Sequence, residues 1–380
     1  MSAGLRRSVA SLQIPNFRRF FTGQVVSVSG SWMQTVAEAW LVLSLTSSGV
    51  ALGVSTALQF LPMLLLGAWG GVLADRFAKR RLLVVTQTLM ILPALALFAL
   101  TVSGVVTLWM VYALVLVRGL VTAIDNPTRQ SFISEMVGPA SVVNAVSLNS
   151  VLVQTARIAG PAAAAAVIAT SGVATCFLLN ALSFGAMILA LARMDADKLH
   201  DAPAASRAPG QIREAIGVVR ADRALWIPLA VMGVVSMLAY NFQTVLPLLA
   251  KYTFDGSAGT YALLMGTMGA GAIVGALVNG ARGQTSPELI SISAVVFGGA
   301  LGLAAIAPTL DLVLAALVVV GAGSVTFTSA VNAQLQLAAP PALRGRVMAL
   351  YGVVFLGSTP IGAPLIGLVD EAFGARTGLA

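Results

Sequence analysis

Gln24, Ser27, Ser31, Gln34 and Glu38 recur at steps of 3, 4, 3 and 4 within an otherwise apolar stretch. That spacing places all five on one face of an α-helix. Hydrocarbon could not satisfy such a face, so it must look onto a cavity or another helix. Glu38 reads as the only carboxylate well inside an apolar stretch. Burial there disfavours the charged form, and a carboxyl that exchanges protons near neutral pH can couple proton flow to transport. Two other readings stay open: a permanent pairing with a neighbouring helix, or a position close enough to the outer surface to be wet. The steps 3, 4, 3, 4 return in Ser147, Ser150, Gln154, Arg157 and Pro161, while Arg118, Thr122 and Asp125 share another helical face. Buried guanidiniums are normally paired, and Glu38 and Asp125 are the available acids for Arg118 and Arg157. For Arg157, an ion pair that merely keeps helices in register is the competing reading. Further along, Ser236, Tyr240, Gln243 and Pro247 align, with Asn241 alongside. Gln34, Gln59, Gln154, Tyr240, Asn241 and Gln243 are the candidate cavity residues. Trp32, Trp40 and Phe60 are candidates for an aromatic lining, against the alternative that they face lipid.

The elements that must position these groups are membrane helices. The chain has 380 residues, 58% hydrophobic and only 9% charged, with mean hydropathy +0.92. Soluble domains carry about 25% charged residues. The net charge of +8 does not point to nucleic acid, because the cations sit in short loops between apolar runs rather than on one surface. Cys176 is the single cysteine and lies in an apolar run, which rules out an intramolecular disulfide and a thiol-based metal cluster. His200 is the one histidine and falls in a polar linker. No G-x-x-x-x-G-K-[ST] sequence occurs, so the chain brings no P-loop ATPase of its own. These features argue against an enzyme, and no metal or cofactor is expected.

Eleven apolar windows of helical length fall at roughly 20–45, 50–74, 82–103, 107–126, 142–169, 173–193, 226–250, 258–280, 288–307, 311–334 and 345–369. With the N-terminus in the cytoplasm, Lys251 and Arg376 fall outside and Arg118 and Arg157 fall within spans. That leaves the other 18 of the 22 cations inside, the bias expected of a multi-pass protein of the cytoplasmic membrane. The first stretch lacks a small-residue cleavage site and reads as a retained helix. The chain divides into a six-helix bundle over 1–194, a cytoplasmic linker over 195–225 and a second bundle over 226–380. Within the linker, 211–223 reads as an amphipathic surface helix with Ile212, Ile216 and Val219 on one face, the alternative being an unstructured tether.

The halves repeat. Gly71-x-Leu73-Ala74-Asp75 returns as Gly275-x-Leu277-Val278-Asn279 at a shift of 204, Gly160-Pro161 as Ala363-Pro364 at 203, and Ala145–Leu148 as Val347–Leu350 at 202. Two such units exceed 380 residues by about one membrane helix, about 20 residues. The second bundle is therefore expected to hold five spans, with a twelfth missing from a fragment; a natural eleven-helix protein is the alternative. The glycines at 266, 269, 271 and 275 suit close helix packing and resemble no phosphate loop.

One segment carries more specific information. Between two apolar windows stands Gly71-Val72-Leu73-Ala74-Asp75-Arg76-Phe77-Ala78-Lys79-Arg80-Arg81-Leu82-Leu83, which resembles the signature loop of the major facilitator superfamily. Asn16-Phe17-Arg18, Asp125-Asn126-Pro127-x-Arg129-Gln130, Ala156–Pro161, Asn241-Phe242-Gln243 and Arg344–Met348 extend that resemblance along the whole chain. They narrow it to the drug:proton antiporter-like branch, which includes enterobactin exporters and macrolide efflux proteins. The resemblance implies an all-α membrane protein of two pseudo-symmetric six-helix bundles that alternate access to a midplane cavity by a rocker-switch motion. It implies export of small amphiphilic molecules, such as drugs or siderophores, by proton antiport; a monomer in the lipid bilayer is expected. A proton-coupled importer of a small metabolite is the alternative, and a non-transporting receptor or assembly factor a more distant one. By the same resemblance Gly71, Asp75, Arg76 and Arg80 belong to a cytoplasmic gate with Asp125 as partner. Arg118 matches the arginine of proton-coupled members, and Arg157, Gly160 and Pro161 match an exporter motif that limits leak. The sequence departs from the pattern at Ala78, where the family has glycine, and at Ser31, where some exporters carry an acid.

Overall fold

The computed structural model describes residues 10–200, 211–282, 286–340 and 343–380. Arg6, Arg7, Asp201 and Arg207, and the side chains of Ile212 and Arg213, lie outside the described residues. The regular elements are all helical. Six long helices come first: α1 (Pro15–Leu45), α2 (Gly49–Arg76), α3 (Lys79–Val102), α4 (Leu108–Val137), α5 (Val142–Ser171) and α6 (Val173–Ala192). After the short α7 (Gln211–Ala221) follow α8 (Arg223–Ala239), α9 (Phe242–Leu248), α10 (Ala258–Arg282), α11 (Pro287–Ile306) and α12 (Leu310–Ala338). The chain closes with α13 (Arg344–Gly357), α14 (Thr359–Phe373) and α15 (Ala375–Leu379).

Among the described residues ten stretches are long and apolar enough to cross a membrane, against the eleven expected. The stretch that falls short is α1. Its 31 residues suffice for a crossing, but the amides and carboxylate of its polar stripe lower its mean hydropathy. Two of the ten stretches are broken helices. Arg223–Thr253 comprises α8, α9 and a wider turn at Leu249–Thr253, and Arg346–Phe373 comprises α13 and α14.

The helices form two compact units, one of Met1–Leu45 with Leu61–Ala205 and one of Thr46–Phe60 with Ser206–Ala380. In the first, α1 packs on α5 and α6, and α3 on α4 and α6. Phe17, Phe20, Leu83, Phe132, Met136, Met187 and Leu191 knit four of these helices together at one end, with the Phe20 and Phe132 rings edge to face at 5.9 Å. In the second, α12 packs against α10, α11 and α8. Leu225, Leu229, Met232, Phe327, Val331 and Val347 form its core, and α7 docks there through Val218 and Val219.

Close approach sets which helices pair. A Cβ on Gly70 of α2 would stand 2.0 Å from the carbonyl oxygen of Ala123 in α4. That carbonyl is the one Pro127 leaves without its helical N–H partner, and the Gly70 Cα covers it. In the second unit a glycine contact of the same closeness joins a helix pair without a proline: Gly271 and Gly275 of α10 rest on the carbonyls of Val318 and Ala322, and Gly321 of α12 on that of Met268. In the bilayer such contacts replace hydrophobic collapse as the force that joins helices. Gly321→Ala, whose new methyl would sit 1.9 Å from Met268 O, is expected to cost about 1–3 kcal/mol. Gly302→Ala, with open space around it, is expected to gain about 0.5–1 kcal/mol. Thermal unfolding in detergent separates the two, and equal midpoints would contradict this account of the α10–α12 pair.

Candidate functional site

Four residues of the α1 stripe face other helices and divide between two hydrogen-bond networks, while half-buried Ser31 donates to Ser27 O of its own helix at 2.9 Å. The first centres on Glu38. Its Oε1 accepts from Gln34 Nε2 at 2.8 Å and its Oε2 from an Arg118 guanidinium nitrogen of α4 at 2.5 Å. Gln34 in turn accepts from Asn180 Nδ2 of α6 at 2.5 Å, and Asn180 accepts from Ser183 Oγ at 2.8 Å. All five side chains are buried. One polar chain thus runs from α6 through α1 to α4, ending in a buried ion pair. Backbone geometry puts it there, because Gly30 lets α1 sit directly on Asn180 and Ser183, where a Cβ would meet their side-chain oxygens at 2.5 to 2.6 Å. On the opposite side of α1, Gly160 of α5 seats against Trp32, 2.4 Å from Trp32 Cβ by the same measure. There the Arg157 guanidinium lies over the Trp32 ring, 5.5 Å from its centre. Pro161 is buried beside it, and Gln154 is half-buried on the same helix.

The second network centres on Asp125, also buried. Thr86 Oγ1 and Gln87 Nε2 of α3 donate to its Oδ1 at 2.6 and 2.8 Å, and Arg129 one turn on pairs with its Oδ2. Ser27 of α1 reaches Gln87 at 3.3 Å, and Gln24 donates to Asn149 of α5 at 2.8 Å.

The charged segment at 71–83 is less of a loop than its composition suggests. α2 runs through Gly71 and Asp75 to Arg76, α3 begins at Lys79, and only Phe77 and Ala78 lie between. Arg76 at a helix C-terminus suits the helix dipole, whereas Lys79, Arg80 and Arg81 crowd a positive N-terminus. Their neighbours offset that. Lys79 pairs with Glu135 at 2.5 Å, and Arg80 donates to the carbonyls of Leu191 and Ala192 at 2.8 and 2.9 Å, the negative end of α6. The expected pairing of Asp125 with the gate cations is therefore corrected. Its partners are Thr86, Gln87 and Arg129, because it sits inside α4, a helix that continues past Pro127 to Val137 rather than ending near 126. Asp75 and Arg76 are exposed.

In the second unit Tyr240 and Asn241 occupy the break between α8 and α9. Asn241 Nδ2 donates to Met237 O at 2.7 Å, a side-chain bond that competes with the helical ladder. Gly362 of α14 rests on that same carbonyl. Tyr240 donates to Ser324 O at 2.7 Å, and its ring lies 5.3 Å from those of both Phe297 and Phe355. Its ring is thus packed in an aromatic cluster, and the residue is half-buried. Ser236 Oγ, Asn241 Oδ1 and Gln243 Oε1 are buried with no hydrogen-bond partner among the described residues. Gln59 is half-buried on the part of α2 that belongs to this unit. Glu38 is not alone as a buried carboxylate either, since Asp370 of α14 is 7% exposed.

Sequence reasoning missed Asn180, Ser183, Thr86, Gln87, Asn149 and Asp370. The signal existed for Asn180 and Ser183, two polar residues three apart in a helix of otherwise apolar character. Asp370 was obscured by its neighbour Glu371, which makes 370–371 read as an interfacial end.

The family described as transmembrane secretion effector matches residues 6–380. The chain is 25% identical to the staphyloferrin A transporter of Staphylococcus aureus (strain NCTC 8325 / PS 47), over 93% of its own length and 89% of the relative's. It is 24% identical to macrolide efflux protein A of Streptococcus pyogenes, over 95% and 90%. Its fold is similar to that of a bacterial homologue of the human lysosomal transporter Spinster, with TM-score 0.77, 14% identity, and 94% and 82% of the two chains covered.

Proposed function

The chain belongs to the transmembrane secretion effector family of major facilitator transporters, and on that premise we propose that it exports small amphiphilic molecules in exchange for protons. It is an all-helical, multi-pass membrane transporter and not an enzyme. Relatives named for macrolide efflux and staphyloferrin transport support a small-molecule cargo. The observation that carries the coupling is the buried chain Ser183–Asn180–Gln34–Glu38–Arg118. A carboxylate held by one guanidinium and one amide can exchange its proton only by loosening Arg118. Proton uptake would then free Arg118 and shift α4 against α1, which is how a proton could favour one access state over the other.

In this reading the cation bias sets the N-terminus in the cytoplasm of the inner membrane. Arg80, bound to the end of α6, and Asp75 and Arg76 near it serve the cytoplasmic gate, with Gly71 at its base. Gly160 and Pro161 seal α5 against α1 beside the Arg157–Trp32 contact. Gln59, Gln154, Asn241 and Gln243 are the residues proposed to offer polar groups to cargo. The reading needs no bound cofactor, and a single chain suffices.

Inverted membrane vesicles with an acidic interior test it, with a panel of dyes and siderophores as cargo. Cargo should accumulate inside them and leave when a protonophore collapses the gradient. Uptake confined to right-side-out vesicles would reverse the direction and make the protein an importer.

A further inference from the structure

Asp370 stands outside the coupling chain, in the other unit, and its surroundings are unusual for a carboxyl group. It is buried, and neither carboxylate oxygen has a hydrogen-bond partner among the described residues. The side chain lies flat against Gly378 of α15, where a Cβ would stand 1.6 Å from Oδ1, and its own Cβ lies 3.5 Å from the position a Cβ on Gly49 would take. Gly49 opens α2, and the first turns of α2 cross α14 at close range. A Cβ on Gly53 would meet Ala363 O at 2.4 Å, and one on Gly367 would meet Gly49 O at 2.4 Å. The adjacent Glu371 fastens the same turn, accepting from Ser48 Oγ at 2.6 Å and Val50 N at 3.2 Å. All of these residues belong to the second unit.

We propose that Asp370 is a proton-binding site, seated where the first turns of α2 cross α14, and that its neutral form holds that crossing closed. An ionised carboxylate needs a counter-charge or several donors when taken from water, and among the described residues neither Asp370 oxygen has a hydrogen-bond donor. The first turns of α2 carry no ionisable side chain, and neither does α9. In α15, Arg376 is engaged with the carbonyls of Ala305 and Ala307 and sits over the Phe254 ring. In the turn after α9, Lys251 lies over the Tyr252 ring. The cations of α8 and α13, Arg223, Arg344 and Arg346, stand at the opposite ends of those helices. The acid form needs no counter-charge in the close space between Gly378 and Gly49, whereas the carboxylate must draw in water and part the glycine crossing. The ligand is a proton, delivered from the side to which the α1–α2 turn is exposed. The inference rests on the export reading only for that side being the outer one.

The test places a reporter thiol at the crossing, Val50→Cys in a Cys176→Ser background, and measures its rate of reaction with a membrane-impermeant maleimide. Rates are taken from about pH 5.5 to about pH 8.5, a range that brackets a buried carboxyl. Each is divided by the rate of the same protein carrying Asp370→Asn, which removes the thiol's own pH dependence. The ratio is expected to rise several-fold with pH, and Asp370→Glu is expected to restore that rise. A ratio that stays at one throughout would overturn the proposal. So would an Asp370→Asn protein that fails to reach the membrane, because the amide mimics the acid form assigned to the closed crossing. The labelling needs neither cargo nor gradient, so it stands or falls separately from the vesicle experiment.

Discussion

Glu38→Gln is expected to bring gradient-driven cargo accumulation down to the level of vesicles that lack the protein, while exchange of cargo for cargo at equal pH continues. The two assays differ only in whether a proton must cross. Gln is nearly isosteric with Glu and can still accept from Gln34, so the α1–α6 half of the network, Gln34–Asn180–Ser183, has no reason to move. What the variant lacks is the group that takes up and releases a proton and the charge that recruits Arg118. Loss of both assays together would mean that Glu38 shapes the cargo path rather than the coupling. Retention of gradient-driven accumulation would remove Glu38 as carrier and turn attention to Asp125, the other buried acid of the same unit.

The α1 stripe was legible because a period of 3.6 residues interrupted by polar groups survives any detail of packing. What the periodicity could not supply was the partner of each group. Arg118 had two candidate acids, and only the crossing of α1 with α4, set by contacts such as Gly30 on α6, decides for Glu38. Asp125 shares a helical face with Arg118 and Thr122 in the sequence, and only the family resemblance pairs it with the charged segment at 71–83. In the membrane a neighbouring helix can cover the carbonyl that a proline frees, as Gly70 does here, so the helix continues and Asp125 turns inward. The broken helix at Tyr240–Asn241 was invisible for the complementary reason. No glycine or proline marks it, and it depends on a side-chain amide capturing Met237 O against the closely packed Gly362.

These particulars also explain why the polar interior is uneven. Thr86, Gln87 and Arg129 together satisfy Asp125 with hydrogen-bond donors from two helices, which suits a fixed joint. Glu38 has one amide and one guanidinium, which suits a group that must let go. Asp370 has neither. The number of donors around each carboxyl thus ranks the three by how readily a proton can replace a neighbour, and the middle case is the one suited to a transport cycle.

Arg118→Met is expected to lower the free energy of unfolding by about 3–5 kcal/mol, the cost of leaving one buried charge without its partner. The double variant Glu38→Gln/Arg118→Met is expected to recover most of that loss, since replacing both members of a buried pair by neutral groups of similar size is often close to neutral. Thermal or denaturant unfolding of the wild type, the two single variants and the double variant gives the coupling between the residues directly. Additive losses would mean that the 2.5 Å contact contributes little. The same four proteins separate the two roles open to this pair. If the pair only holds α1 to α4, the stable double variant should still transport against a gradient. If Glu38 is the carrier, the double variant should fold, bind and exchange cargo, and yet accumulate nothing, because the neutral pair has no proton to give up.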